Sequence, residues 1–395
     1  MTAAGHDAGS TPPARALPAN ARAAEIDWLR LAAVVVVLVV HAAQIFSPFE
    51  SWHIASPDRS PWLGLLTALT APWIMPLFTL LAGAGAWFTL QRRSPAEFLR
   101  TRAIRLLPPF VLGTLILIPP QVYLRRLYRG EFDGTFLDFY PRFFEGASPD
   151  GNFSWGHLWF ILYLFFYFVA ATPLFRSLSH GRGRGLLARM GAAADRKRAA
   201  ILWLVIPFAA GQLLLRARFT QSTGALLDDW ATHAWLFTAL ITGYALMEEP
   251  RLMAAVDRGW RIALLPAALS LSIIGLYVMP GDAYDRLPSR PGLWYFTFWT
   301  TFSLASWSWL VVLLGAARRY LDRPTPFLER WRHSAYGIYV LHQTVIVLIA
   351  WEVVRWPLDL HLRFLIISAL SLAVTLMLVA ILRRLPGMRT AFGLA

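Results

Sequence analysis

Ten long apolar segments constrain this chain more than any other feature of its sequence. Each approaches the roughly 20 residues that an α-helix needs to cross a bilayer. The chain is 57% hydrophobic and 15% charged, whereas soluble domains carry about 25% charged residues. The sequence therefore predicts an all-α, polytopic membrane bundle of about ten transmembrane helices. The predicted segments are 29–47, 64–90, 104–121, 157–175, 199–215, 231–247, 261–279, 293–315, 334–354 and 362–382.

Arginines collect in every second connection between these segments, and the intervening connections are balanced or acidic. This alternation holds for nearly every connection and is weakest at 248–260. Because basic residues accumulate in cytoplasmic loops, we expect both termini to be cytoplasmic. The net charge of +14 follows from this bias and indicates contact with lipid headgroups rather than with nucleic acid. The basic stretches are 91–103, 176–198, 316–333 and the residues after 382, with Arg15 and Arg22 before the first segment, while 48–63 and 280–292 are balanced or acidic.

The remaining stretches suggest a single membrane domain at 25–385 with short tails. Residues 1–24 are rich in Ala, Pro, Gly and Thr, which predicts a disordered cytoplasmic tail. Residues 386–395 are expected to form a short cytoplasmic tail. The longest connection, 122–156, is expected outside, where it could cover a cleft. No internal repeat is visible, which weighs against transporters built from repeated halves.

The first segment contains one histidine, His41, after ten consecutive apolar residues. An ionisable residue deep in a membrane helix is costly and by default functional. Arg30 lies eleven residues earlier, about three turns, so both side chains share a face roughly 16 Å apart, and Asp27 lies near that face. A neutral imidazole there can act as a general base for a hydroxyl arriving from outside. The alternative is a histidine that hydrogen-bonds to a neighbouring helix.

Two arginines open the third segment on one helix face. Arg102 and Arg105 are three residues apart, whereas Arg100 lies off that face. A pair of guanidinium forks is well suited to phosphate. The alternative is an ordinary basic flank whose side chains reach up to lipid headgroups.

The ninth segment carries a polar stripe of Tyr336, Tyr339 and His342 at three-residue spacing. Glu352, further along the same helix, is a candidate for a buried acid. The alternative for the two tyrosines is packing between helices.

On the predicted outer side, Trp52 and His53 follow the first segment, and His157 and Trp159 open the fourth. Indole and imidazole groups suit a sugar-like acceptor, although tryptophans also anchor helices at the membrane surface. The histidines show no metal-ligand spacing, so no metal site is predicted.

Four motifs together resemble the acyltransferase-3 membrane family. They are D-x-L-R with a histidine eleven residues beyond its arginine, R-x-x-R before the third segment, H-L-W-F before the fourth, and Y-G-I-Y-x-x-H in the ninth. The family transfers acyl groups from cytoplasmic acyl-CoA to acceptors, usually carbohydrates, across the membrane. The S-W-H-I after the first segment resembles the branch that contains the glucan biosynthesis protein C, which acts on periplasmic glucans.

The resemblance implies a bacterial inner-membrane enzyme with acyl-CoA as a co-substrate and no permanently bound cofactor. His41 would be catalytic, Arg30 required, and Arg102 and Arg105 would bind the phosphates of acyl-CoA. We group Asp27 with the catalytic residues and expect it to pair with Arg30, or with Arg102 or Arg105, and to order the inner site. Tyr339 and His342 would line the acyl channel or stabilise the thioester oxygen. Whether His41 is a base or a covalent acyl carrier stays open, as does the oligomeric state. The rival hypothesis is a transporter or flippase that uses these residues as a proton relay.

Overall fold

The computed structural model describes residues 24–49, 52–148, 150–220, 222–279 and 287–394. The predicted N-terminal tail up to residue 23 therefore lies outside the described residues, as do Glu50, Ser51 and the acidic stretch 280–286. Within the described residues there is no β-strand, and the prediction of an all-α fold is confirmed.

Sixteen α-helices occur in the described part of the chain. They are α1 (Ala24–Gln44), α2 (Pro61–Thr70), α3 (Ile74–Leu90), α4 (Pro95–Ile116), α5 (Ile118–Tyr128), α6 (Phe136–Arg142), α7 (Trp159–Ser179), α8 (Gly181–Asp195), α9 (Val205–Leu215), α10 (Trp230–Glu248), α11 (Pro250–Val278), α12 (Leu293–Tyr320), α13 (Pro326–Trp331), α14 (Ala335–Val353), α15 (Leu360–Leu382) and α16 (Met388–Ala391). Short 3₁₀ turns at Gly156–Leu158 and Ala200–Leu204 precede α7 and α9.

Eight helical stretches in these ranges are long and apolar enough to cross a membrane, which confirms a polytopic membrane fold. Every predicted segment overlaps with helix, and the second is divided between α2 and α3. The stretch Ala200–Leu215 is shorter than the eight, and α10 is not among them, so the count of ten stays a prediction.

The predicted boundaries differ most in the third segment. Helix continues through α5 to Tyr128, so the expectation that the external connection begins at residue 122 was wrong. Prolines explain the break between α4 and α5, since Pro119 and Pro120 stand at the first turn of α5, where a missing N–H costs little. The connection 129–158 contains α6.

Two connections also hold helices that the apolar pattern did not reveal. Helix α8 lies in the arginine-rich stretch 176–198, and α11 begins at Pro250 rather than near residue 261. Both have charged, exposed turns, which hydropathy does not register. Residues 388–394 fold back on α4, with Phe392 and Leu394 buried.

Helix α1 occupies the centre of the bundle. It packs against α2, α3, α12, α13, α14 and α15, and Val34, Leu38 and Ala42 are fully buried. The valine-rich run after Arg30 is therefore covered by protein for much of its circumference. This position explains how α1 can carry polar side chains without exposing them to lipid.

Helices α3 and α10 approach each other closely because glycines face one another at their crossing. A Cβ added at Gly83 would lie 1.9 Å from the Leu240 carbonyl oxygen, and one at Gly243 would lie 1.9 Å from that of Leu80. Small residues at helix contacts are typical of membrane bundles, where van der Waals packing holds helices together. This contact fixes α3, which forms a wall of the site described below.

We predict that Gly83→Ala lowers the free energy of unfolding by about 1–3 kcal/mol or more, because the methyl group must displace backbone rather than a flexible side chain. Thermal unfolding in detergent should show a lower midpoint. The control is Gly185→Ala in α8, where a Cβ meets no atom within 4 Å and should not destabilise the helix. Equal midpoints for the two variants would contradict this packing account.

Candidate active site

A cavity of about 640 Å³ opens at the arginine-rich end of the bundle. We call it the basic cavity. Its walls come from α1, α3, α4, α7 and α14, together with the turns before α4 and α14. It brings together six of the side chains singled out in the sequence, which are Asp27, Arg30, Arg102, Arg105, Tyr336 and Tyr339.

Arg30 is held at the wall of this cavity by two polar contacts. Its guanidinium donates to the Asp27 carboxylate at 3.0 Å and to the Leu81 carbonyl of α3 at 2.9 Å. Of the predicted partners for Asp27, Arg30 is the one observed. Gly85 makes room for this arrangement, because a Cβ there would lie 2.9 Å from Nη2 of Arg30.

Arg102 and Arg105 face the same cavity without a carboxylate partner. Arg102 donates to the Thr89 hydroxyl at 3.1 Å, and its guanidinium carbon lies 5.0 Å from the ring centroids of Phe98 and Phe168. Arg105 lies 5.8 Å from the Tyr336 ring centroid. Aromatic rings hold these cations in place while leaving their donors for an anion. Among the described residues neither arginine forms a salt bridge.

The rim adds further positive charge from residues that sequence reasoning did not select. Arg93 and Arg332 line the cavity, and Arg332 pairs with Glu329 at 2.8 Å. Burial, with the nearby guanidiniums of Arg332 and Arg383, lowers the pKa of His333. His333 is thus neutral at pH 7, and the charge of the rim comes from arginine. Such a surface favours a ligand with several negative charges.

At its inner end the basic cavity reaches Phe160 and Tyr339, and a group of histidines begins there. The Tyr339 hydroxyl donates to the His157 carbonyl. The His342 ring lies 5.1 Å from the His157 ring and 5.1 Å from the His41 ring, between centroids. We call His41, His157 and His342 the histidine cluster. Three helical stretches, α1, α14 and the turn before α7, supply its members.

The other face of His41 meets residues on the far side of the bundle. The Trp52 ring lies 6.1 Å from that of His41, and the His53 ring lies 5.1 Å from that of Trp52. The rings therefore form a sequence from Tyr339 through His342 and His41 to Trp52. Arg30 and Tyr339 both line the basic cavity, and Arg30 and His41 share one face of α1. This face therefore leads from the cavity to His41.

Backbone carbonyls determine which nitrogen of each ring carries the proton. Nδ1 of His41 lies 2.8 Å from the Val37 oxygen, Nδ1 of His342 lies 2.7 Å from the Tyr339 oxygen, and Nε2 of His157 lies 3.0 Å from the Val340 oxygen. A carbonyl only accepts, so these nitrogens are the donors. The neutral rings therefore present lone pairs on Nε2 of His41, Nε2 of His342 and Nδ1 of His157.

Two predicted residues lie elsewhere. The Trp159 ring contacts Phe160 and Tyr163 and packs beside Gly224 rather than against a histidine. The prediction that Glu352 is a buried acid was wrong. Its side chain is 67% exposed and pairs with Arg355 at 3.8 Å, because it lies in the last turn of α14, where the helix leaves the bundle.

Sequence reasoning missed a buried amide network beside His53. The side-chain amide of Gln343 donates to Nε2 of His53 and to the Gln121 side-chain oxygen, each at 3.0 Å, and Gln121 donates to the Thr344 hydroxyl at 2.8 Å. A signal was present, since Gln343 directly follows His342 in an otherwise apolar helix. Within the described residues, no three His, Cys, Asp or Glu side chains are placed to hold a metal ion.

A family model described as an acyltransferase domain, of the acyltransferase-3 type, matches residues 23–380. The chain belongs to the acyltransferase-3 family. The match covers nearly the whole chain, so the helices that form the basic cavity and the histidine cluster lie within it. The protein is therefore a membrane acyltransferase. No curated protein and no solved structure matches the chain.

We predict that Gln343→Leu destabilises the protein by about 1–3 kcal/mol, since it removes the donor to Nε2 of His53 and to the side-chain oxygen of Gln121. Thermal unfolding in detergent measures the change. Leu348→Ala, at an exposed position of the same helix, serves as the control and should fall within about 0.5 kcal/mol of the native protein. A Gln343→Leu protein as stable as this control would show that the network contributes nothing.

Proposed function

We propose that the protein is an O-acyltransferase of the bacterial inner membrane. It moves an acyl group of the acetyl or succinyl class from cytoplasmic acyl-CoA to a hydroxyl of a carbohydrate on the other side, possible acceptors including a periplasmic glucan. The observation that carries the proposal is that Tyr339, which lines the basic cavity, also contacts the histidine cluster. Family membership supports acyl transfer, and the cavity supports a polyanionic donor.

The donor would enter the basic cavity with its phosphates against the arginines. Arg102 and Arg105 present guanidinium groups that no carboxylate of the described residues neutralises, and Arg30 adds a third. The pantetheine arm would then extend along the Arg30 face of α1 toward Tyr339. Phe160, Tyr336 and Tyr339 would line the acyl channel, so that the thioester stops beside the histidine cluster.

The acceptor would reach His41 from the opposite side. Trp52 offers an indole face against which the apolar face of a sugar can stack, and it contacts His41 directly. His53 and His157 lie nearby, and Trp159 stays an acceptor-side prediction. The Tyr128 hydroxyl bonds to the Ala55 carbonyl, which joins the start of the connection 129–158 to this region. That connection is therefore well placed to select the acceptor.

In this mechanism His41 acts as the general base. Its Nδ1–H is bonded to the Val37 carbonyl, so Nε2 is free to take the proton of the acceptor hydroxyl. The resulting alkoxide character drives attack on the thioester carbonyl. If His41 instead carried the acyl group, incubation with acyl-CoA alone would leave an acylated peptide that contains His41, which mass spectrometry would detect.

We predict that His41→Ala lowers acyl transfer at least about 100-fold, because general-base catalysis contributes that much or more. The assay follows CoA release and acylated glycan in reconstituted vesicles. Membrane insertion and thermal unfolding should stay unchanged, which separates catalysis from folding. Acylation near the native rate would remove His41 from the mechanism. Movement of solute without consumption of CoA ester would favour a transporter.

We predict that Arg102→Gln and Arg105→Gln each raise the KM for acyl-CoA. Loss of a charged hydrogen bond to phosphate costs about 1.5–3 kcal/mol, which corresponds to roughly 10- to 100-fold. The matched control is Arg100→Gln, because Arg100 lies on the same helix but does not line the cavity. If all three variants shifted the KM equally, general surface charge would explain the effect and the proposed phosphate site would be wrong.

A further inference from the structure

In the proposed acyl transfer, a proton is taken up on the acceptor side of the site but is needed on the donor side. In the proposed function His41 takes a proton from the acceptor hydroxyl, while the departing sulfur of CoA lies toward the basic cavity and needs one. His41 contacts Trp52 on the acceptor side. It does not line the basic cavity. A second proton carrier between His41 and the cavity would complete the reaction.

His342 occupies that position. Its ring contacts His41 at 5.1 Å and Tyr339 at 5.9 Å between centroids, and Tyr339 lines the inner end of the basic cavity. Among the ring contacts of the described residues, His342 alone contacts both His41 and Tyr339. It lies one helical turn beyond Tyr339 on α14.

The ring of His342 is also prepared for proton transfer. Its Nδ1–H donates to the Tyr339 carbonyl at 2.7 Å, which leaves the lone pair on Nε2. That Nε2 is buried and has no hydrogen-bond partner within the described residues, and the whole side chain is 0% exposed. Buried polar atoms are normally paired, so an unpaired basic nitrogen beside the proposed catalytic histidine indicates a group that meets a proton during the reaction.

We propose that His342 is a second catalytic residue, which relays the proton from His41 to the leaving thiolate of CoA. This inference rests on the proposed function. The acceptor oxygen bonds to the thioester carbon as its proton passes to Nε2 of His41. The carbon–sulfur bond then breaks with its electron pair on sulfur. The proton moves from Nε2 of His41 to Nε2 of His342 and then to sulfur, which yields the ester and CoA thiol.

His157 has a different part in this arrangement. Its Nδ1 is also buried without a partner, but among the ring contacts of the described residues it contacts Tyr339 and His342 and not His41. Its Nε2–H is bonded to the Val340 carbonyl, and its backbone carbonyl accepts from Tyr339. These bonds tie the turn before α7 to α14. His157 therefore positions the rings of Tyr339 and His342, whereas the proton follows His41 and His342.

The test variant is His342→Asn, because an asparagine amide can replace the Nδ1–H donor while removing the basic Nε2. We expect kcat to fall about 100-fold, while the KM for acyl-CoA stays within about threefold. For the native protein, a plot of kcat against the deuterium fraction of the solvent should be curved, because two protons move in the rate-limiting step. For the variant the plot should be linear, because one proton moves. A kcat within about threefold of the native value would overturn the relay.

Chemical rescue keeps the proposal testable if His342→Asn folds poorly. In His342→Ala, added imidazole should raise kcat at least about tenfold above that of the variant alone. Pyrazole, which has the same shape but is far less basic, should not raise it. Equal recovery with both compounds, or with neither, would overturn the relay. A native protein that releases no CoA would contradict the proposed function and the relay together, whereas an active native protein with unaffected variants contradicts the relay alone.

Discussion

The cost of placing cations and imidazoles at membrane depth governs this structure. A charged side chain facing lipid costs several kcal/mol, so a bundle that carries Arg30 and Arg102 must enclose them. Helix α1 packs against six other helices, and its polar face opens into the basic cavity rather than toward lipid. The close α3–α10 crossing at Gly83 and Gly243 sets one wall of that cavity. Packing in the bundle and chemistry in the site are thus parts of one arrangement.

Much of this arrangement follows from local patterns in the sequence. The eleven-residue spacing of Arg30 and His41, and the three-residue spacing of Arg102 and Arg105, depend only on helical geometry. The stripe of Tyr336, Tyr339 and His342 depends on the same rule. For this reason the arginines Arg30, Arg102 and Arg105 of the basic cavity could be chosen before any tertiary contact was known, whereas Arg93 and Arg332 of its rim could not. The roles assigned to them remain proposals, which the experiments above address.

What could not be predicted depends on which helix faces meet. Nothing in the local pattern around His157 shows that its ring contacts His342, since that contact joins stretches far apart in the chain. The tautomers of the histidine cluster were likewise beyond prediction, because they depend on individual carbonyl positions. Glu352 illustrates the opposite error. Its place in the same apolar helix as His342 suggested burial, but it lies where α14 ends, and depth in a bundle cannot be read from the sequence alone.

The central claim is that one continuous site joins an acyl donor on one side of the membrane to an acceptor on the other. A sided assay in sealed vesicles tests this most directly, with acyl-CoA added outside and glycan trapped inside. The account predicts acylated glycan in the lumen and free CoA outside, with no acyl-CoA inside. Acylation only when donor and acceptor share a compartment would contradict it, as would glycan crossing the membrane without release of CoA.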